Sequence, residues 1–244
     1  MKTFKHSGDL GDIVYALPAI RAQGGGILYL DTAGGADEPA CRAQCIDRRT
    51  KFNRTGFDFI APLLRAQPYV HDVVPWEGER VDCNLDVFRY KFDDPSARSK
   101  TKNLLDLHLD AFGLPPHDPN EAWLVCGEPI RLERRVVVSR SPRMQSNYPW
   151  FVVRKSLFRD RAVFIGLPKE HELFEYTFEF AVPYRPVADA LEMARIIGGC
   201  ELMVANSTFA LAIAIGLGHV EIVQELEPHH PTTYFEGKTN MKYI

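Results

Sequence analysis

The 244-residue chain has no excess of charge of either sign: 29 Lys and Arg stand against 32 Asp and Glu, a formal charge of −3. It therefore offers no broad field to gather nucleic acid or an anionic membrane, although a local basic groove stays open. No stretch approaches the roughly 18 uninterrupted apolar residues of a membrane helix. The opening Met1–His6 has no apolar run followed by a cleavage site, so no secretory signal is expected. Cysteine is scarce. The five residues Cys41, Cys45, Cys83, Cys126 and Cys200 are odd in number and scattered. That argues against a disulfide framework and for the reducing cytoplasm. Cys41 and Cys45 lack the second pair that zinc spacing requires. With 45% hydrophobic and 25% charged residues, the chain is not mainly disordered. Its length allows one large domain or two compact ones.

Strand-like and helix-like segments alternate. Strands are predicted at 4–6, 27–30, 70–74, 85–88, 135–139, 161–165, 202–205 and 220–223. Helices are predicted at 13–23, 57–67 (interrupted by Pro62), 102–112, 188–197 and 209–217. Such alternation argues for parallel sheets covered by helices. A polar, Pro-rich seam near 115–135 divides it. This gives domains at 1–125 and 126–227, with a tail at 228–244 expected to cross back to the first. Two α/β halves imply a cleft. Parallel sheets bind ligands at the carboxyl ends of strands, so the chemistry is expected in the loops there.

The first such loop is His6-Ser7-Gly8-Asp9-Leu10-Gly11-Asp12. Gly8 and Gly11 permit a tight turn and close approach of a ligand. The loop lacks the third glycine of a dinucleotide fingerprint and the Lys-Ser/Thr of a P-loop. Its two carboxylates suit an acceptor hydroxyl better than a phosphate. Asp12 is a candidate general base, or simply the N-cap of the following helix. His6 and Asp9 are acceptor-side candidates, or a core histidine and a turn residue.

The second half has three comparable loops. Ser139-Arg140-Ser141-Pro142-Arg143 carries two guanidiniums suited to a diphosphate, or forms a solvated basic turn. Gly166-Leu167-Pro168-Lys169-Glu170 carries a carboxylate suited to ribose hydroxyls, or to a helix's first turn. Asn206-Ser207-Thr208 precedes a helix, where free N–H groups make an anion site or the side chains simply cap. Tyr148, Trp150 and Phe174 suit stacking on a base or sugar, or packing. Arg48, Arg49, Lys51 and Arg54 form a basic stripe, either solvated or facing DNA phosphates.

The segment from Ser7 to Ile20 resembles the opening G-D-x-x-x-x-x-P segment of the heptosyltransferase-like glycosyltransferases, glycosyltransferase family 9. Ser139-Arg140, Gly166 to Glu170 and Val204 to Ala212 resemble that family's donor domain. The combination is similar to compact relatives from phage and bacterial genomes. The resemblance implies a GT-B fold, α/β with two Rossmann-like domains. It implies inverting transfer from a nucleotide-sugar donor with no metal and no cofactor. It places Asp12 as the base and Glu170 on the donor ribose. Asn206, Ser207 and Thr208 fall on the phosphate loop, with Gly11, Ser139, Arg140, Arg143, Gly166 and Leu167 as further donor contacts. Here Asn206 and Thr208 replace the loop's usual leading Asp and small third residue. No lysine follows Ser139 to meet the phosphates; Arg140 or Arg143 substitutes.

The expected partners are a nucleotide sugar and a saccharide or lipid-linked saccharide acceptor, with a hydroxymethylated DNA base ranked second. Competing functions are a nucleotide-sugar epimerase or hydrolase, and a non-catalytic nucleotide- or glycan-binding module.

Overall fold

The computed structural model describes residues 1–33, 52–89, 103–143, 145, 160–179, 181–226 and 231–244. They divide into two compact units, Met1–His117 and Asp118–Ile244. The candidate residues Cys41, Cys45, Arg48, Arg49, Lys51, Tyr148 and Trp150 lie outside the described residues.

In the first unit four strands form one parallel sheet: β1 (Lys2–His6), β2 (Gly26–Leu30), β3 (Val70–Pro75) and β4 (Cys83–Asn84), in the order β3-β2-β1-β4. The helices are α1 (Leu10–Ala22), α2 (Arg54–Arg65) and α3 (Leu104–Ala111). Residue His6 is level with Leu30, and Leu30 with Pro75. The strand ends therefore deliver Ser7, Asp31 and Trp76 to one edge. The ladder runs one step further through Asp31 N–H to the His6 carbonyl (3.0 Å) and Trp76 N–H to the Leu30 carbonyl (2.9 Å).

Three expectations change here. The strand expected at 85–88 is a 3₁₀ turn at Leu85–Val87, preceded by the two-residue β4. Asn84 accepts a hydrogen bond from the Asp86 N–H at 3.1 Å, which folds the chain into a turn instead of extending it. The helix around Pro62 is not interrupted; α2 runs through it to Arg65. It begins at Arg54 because Asn53 caps the Gly56 N–H at 2.9 Å. Helix α1 begins at Leu10, so its N-cap is Asp9 and Asp12 sits inside the first turn.

In the second unit five strands form a parallel sheet: β5 (Val136–Ser139), β6 (Ala162–Phe164), β7 (Leu202–Ala205), β8 (Ile222–Gln224) and β9 (Met241–Tyr243), in the order β6-β5-β7-β8-β9. Its helices are α4 (Pro168–Phe178), α5 (Ala190–Gly198) and α6 (Phe209–Leu217). Val136, Val138, Phe164, Phe174 and Phe178 form a buried core cluster between sheet and α4. A parallel sheet covered on both faces reads as a continuous apolar run, as Val136-Val137-Val138 does.

Within the tail, β9 pairs with β8 at the edge of the second sheet. The chain divides between His117 and Asp118, against the expected 125/126. Trp123 and Leu124 both donate backbone hydrogen bonds to the Gly216 carbonyl on α6, at 2.9 and 3.0 Å. A Cβ at Gly216 would lie 2.6 Å from Leu124 Cδ1, so the small residue is what admits this segment. No described helix is long and apolar enough to cross a membrane.

Candidate active site

The first unit gathers charge at the ends of β1, β2 and β4. Asp86, on the turn after β4, is the hub. It accepts from Ser7 N–H (3.0 Å), Ser7 Oγ (2.8 Å), Lys5 Nζ (3.3 Å) and Arg89 Nη1. Lys5 also pairs with Asp31 at 3.2 Å and lies 4.5 Å from the centre of the Trp76 ring. Burial acts to raise the Asp86 carboxyl. Positive charge on protonated His6 and on Arg89, with hydrogen bonds from Ser7 and Arg89, outweighs it and holds the carboxyl well below the usual range. Four donors converging on one carboxylate pin the β1–α1 loop to the turn after β4.

His6 is a fully buried histidine, as its core alternative expected. Its Nδ1 accepts from the Gly8 N–H at 2.8 Å, and its Nε2 meets His108 Nε2 at 3.3 Å. His108 Nδ1 lies 2.7 Å from the Leu104 carbonyl, which can only accept. The protons are thereby assigned: His108 carries its proton on Nδ1, and His6 carries its on Nε2. Burial lowers the His6 pKa to about 4 and lowers that of His108 well below its ordinary value. Both rings are neutral at pH 7. The pair sets the loop's geometry and carries no charge.

Asp12, on the first turn of α1, faces Arg89, with 3.9 Å between its Oδ2 and Nη2. Its side chain is 20% exposed, whereas that of Arg89 is 7% exposed. Gly8 lies against both. A Cβ there would stand 2.4 Å from Arg89 Nη2, 2.6 Å from His6 Cε1 and 3.0 Å from Asp12 Oδ2. Gly11 differs: nothing lies within 4 Å of its Cβ position. It is a residue of α1, whereas Gly8 packs against the protein's own side chains.

In the second unit, Ser139, Ala205 and Gln224 stand level on adjacent strands. The next residue of each strand is Arg140, Asn206 and Glu225. Arg140 is not a solvated turn residue. It forms a two-point ion pair with the fully buried Glu225, Nε to Oε2 at 2.6 Å and Nη2 to Oε1 at 2.9 Å. Its guanidinium also lies 4.8 Å from the Phe178 ring centre. Fork-to-fork pairing of this kind commits the planar group to one partner.

Asn206 is fully buried and staples the two loops together. Its Nδ2 donates to the carbonyls of Ser141 (2.9 Å) and Arg143 (2.6 Å), and its Oδ1 accepts from Ser141 N–H (3.0 Å). An Asp has no N–H to give those carbonyls. This accounts for the Asn where the family resemblance leads with Asp. Thr208 is the N-cap of α6, accepting from Leu211 N–H at 3.3 Å. Ser207 shares a hydrogen bond with Thr233 (2.8 Å), which also accepts from Gln224 Nε2 (2.6 Å).

Glu170 performs the helix-start alternative: its Oε2 accepts from the Leu167 N–H at 2.9 Å. Burial raises its pKa. Gly166 sits beside it with φ at +143°, and a Cβ there would stand 2.9 Å from Glu170 Oε2 and 3.7 Å from Ser139 Oγ. The glycine thus keeps a cradle open between Ser139 and Glu170. Leu167 and Arg143 are exposed at this edge. Phe174 packs in the core, and Arg54 forms an exposed i,i+4 pair with Asp58 at 3.0 Å.

Asp31, Asp86, Arg89, His108 and Glu225 were missed by sequence reasoning. Glu225 was findable, because a charged residue straight after the apolar Ile222-Val223 satisfies the same strand-end rule as the other loops. Asp86 was hidden by reading 85–88 as extended. His108 carries no signal beyond an isolated imidazole between leucines.

No family model and no curated protein matches the sequence. Solved structures do. A glycosyl transferase family 9 protein from Veillonella parvula DSM 2008 aligns with a TM-score of 0.63 at 12% identity, over 99% of this chain and 84% of its own. E. coli heptosyltransferase WaaC with ADP-2-deoxy-2-fluoro heptose gives 0.61 at 11%, over 100% and 93%. E. coli ADP-heptose LPS heptosyltransferase II gives 0.58 at 16%, over 100% and 90%. The chain therefore shares the GT-B type fold of these enzymes, as its loops implied.

Proposed function

We propose that this chain is an inverting, metal-independent glycosyltransferase moving a sugar from a nucleoside-diphosphate sugar to an acceptor hydroxyl. The observation that carries the reading is Asp12. It is a partly exposed carboxylate beside the buried Arg89, at the strand-end edge of a fold shared with a heptosyltransferase solved with an ADP-sugar analogue. In the reaction the acceptor hydroxyl gives its proton to Asp12. The oxygen attacks the anomeric carbon from the face opposite the diphosphate, and the carbon–phosphate oxygen bond breaks. Negative charge grows on the leaving diphosphate. The N-terminus of α6 with the Ser207 hydroxyl meets that charge, and the exposed Arg143 adds to it. Glu170 takes the ribose hydroxyls through Oε1, since Oε2 is committed to its helix. Arg140 acts behind this surface by holding β5 to β8.

The acceptor is a saccharide hydroxyl, and a hydroxymethylated DNA base is the alternative acceptor. The test is a panel of adenosine, uridine, guanosine and cytidine diphosphate sugars, offered with glycan and DNA acceptors in EDTA. The anomeric configuration of the product is read by NMR. Transfer with inversion is expected, falling about 10²–10⁴-fold in Asp12→Asn. Sugar released or epimerised without an acceptor would favour a hydrolase or epimerase. Full activity in Asp12→Asn would remove the base.

A further inference from the structure

We infer that Arg89, carried on Asp86, is a positioning residue for Asp12: it holds the carboxylate charged and aims it past Gly8. The inference gives the base of the proposed reaction its setting, and so rests on that reading for its significance.

Three features of the molecule lead there. Arg89 is a buried cation with two carboxylates in reach. It hydrogen-bonds Asp86 through Nη1 and stands 3.9 Å from Asp12 through Nη2. A guanidinium offers nitrogens in a fixed plane, so fastening Nη1 to Asp86 fixes where Nη2 points. Asp86 is itself immobilised by Ser7 and Lys5, so the guanidinium inherits the rigidity of β1 and its loop. Finally, the Gly8 backbone passes through the narrow gap between Arg89, His6 and Asp12, where no side chain fits. An ordinary loop would not need glycine here; a loop threaded beside an ion pair does.

The separation of 3.9 Å matters. At contact distance with two hydrogen bonds, Arg89 would occupy both Asp12 oxygens, as Arg140 occupies Glu225. At 3.9 Å the positive charge still favours ionised Asp12, without the two-point grip that Arg140 has on Glu225. Among the described residues, the charged groups at this point are Arg89 and Asp86, with Lys5 and Asp31 beyond Asp86, and Asp9 is the helix N-cap. His6 and His108 are neutral there. Asp86 thus competes with Asp12 for Arg89. Removing Arg89 and removing the Asp86 charge should move Asp12 in opposite directions, which simple loosening of the loop would not do.

The experiment is a ¹³C-carboxyl NMR titration of the free, full-length protein labelled at aspartate. The Asp12 signal is identified by its loss in Asp12→Asn. In Arg89→Gln, Asp12 is expected to bind its proton about tenfold more tightly than in the wild type. In Asp86→Asn, where Arg89 is released toward Asp12, it is expected to bind it severalfold more weakly. Titration of Asp12 unchanged in both variants, or shifted the same way in both, overturns the inference. Should Arg89→Gln not fold, Asp86→Asn alone still decides by its sign. No sugar enters this measurement. Absence of transfer in the wild type would defeat the proposed reaction without touching the titration, and an unmoved titration would defeat the positioning role while transfer stood.

Discussion

The two units end their strands in opposite ways. In the second, the strand-end groups are tied to one another: Arg140 and Glu225 form a two-point ion pair, and Asn206 makes three side-chain hydrogen bonds to the neighbouring loop. At that edge stand the Ser207 hydroxyl, the α6 N-terminus, the exposed Arg143 and the cradle between Ser139 and Glu170 beside Gly166. In the first, charges are shared unequally. Asp86 takes four donors, and Arg89 stands 3.9 Å from Asp12. A closed network builds a rigid surface that binds. An unequally shared one leaves a reactive group at its rim. In the proposed reaction the first unit supplies the base and the second holds the donor.

The contrast breaks most visibly at Glu225. Glu225→Gln keeps the shape but strands the buried Arg140 cation, at a cost of about 3–5 kcal/mol. Urea unfolding should show that loss. If the midpoint hardly moves, Arg140 has water or another partner, and the second network is not closed.

A slightly smaller effect separates the units by pH. His6 titrates near 4 in the folded protein and near 6.5 when unfolded. Between those values the unfolded chain binds the extra proton and the folded chain does not. Stability is therefore full above about pH 6.5 and is lost as pH falls toward 4, by roughly 3 kcal/mol from His6 alone. His108 acts in the same direction. Hydrogen exchange, corrected for its intrinsic pH dependence, should show protection falling in the first unit's strands over this window while the second unit's strands hold. Equal loss in both would show that acid lability is not local to the histidine pair.

The alternation of elements and the edges where chemistry sits were legible from the sequence. Apolar runs such as Val136–Val138 and punctuating glycines are local signals that survive folding. The roles of charged residues were less legible, because they depend on partners far along the chain. Arg140 and Glu225 are 85 residues apart, and no local pattern tells an arginine that reaches a phosphate from one that reaches a buried carboxylate. Asp86 meets Ser7 across 79 residues. Met241–Tyr243 is too short to announce a strand in sequence, and it becomes one where β8 offers an edge.

Gly8 and Gly11 give the finest test of how the first network leaves Asp12 at its rim. They look interchangeable in sequence, three residues apart in one loop. Gly11→Ala adds a methyl where nothing lies within 4 Å, on the first turn of α1. It should stabilise the protein by up to about 1 kcal/mol, through helix propensity, and leave turnover unchanged. Gly8→Ala drives a methyl into Arg89, His6 and Asp12. The Arg89 guanidinium is the part able to swing aside, so about 1–3 kcal/mol of strain is expected. Its swing also removes the cation from Asp12, so turnover should fall further than stability. Calorimetry with a transfer assay reads both at once. If Gly8→Ala lowers stability but spares turnover, the gap it fills serves packing alone, and Asp12 does not depend on where Arg89 stands.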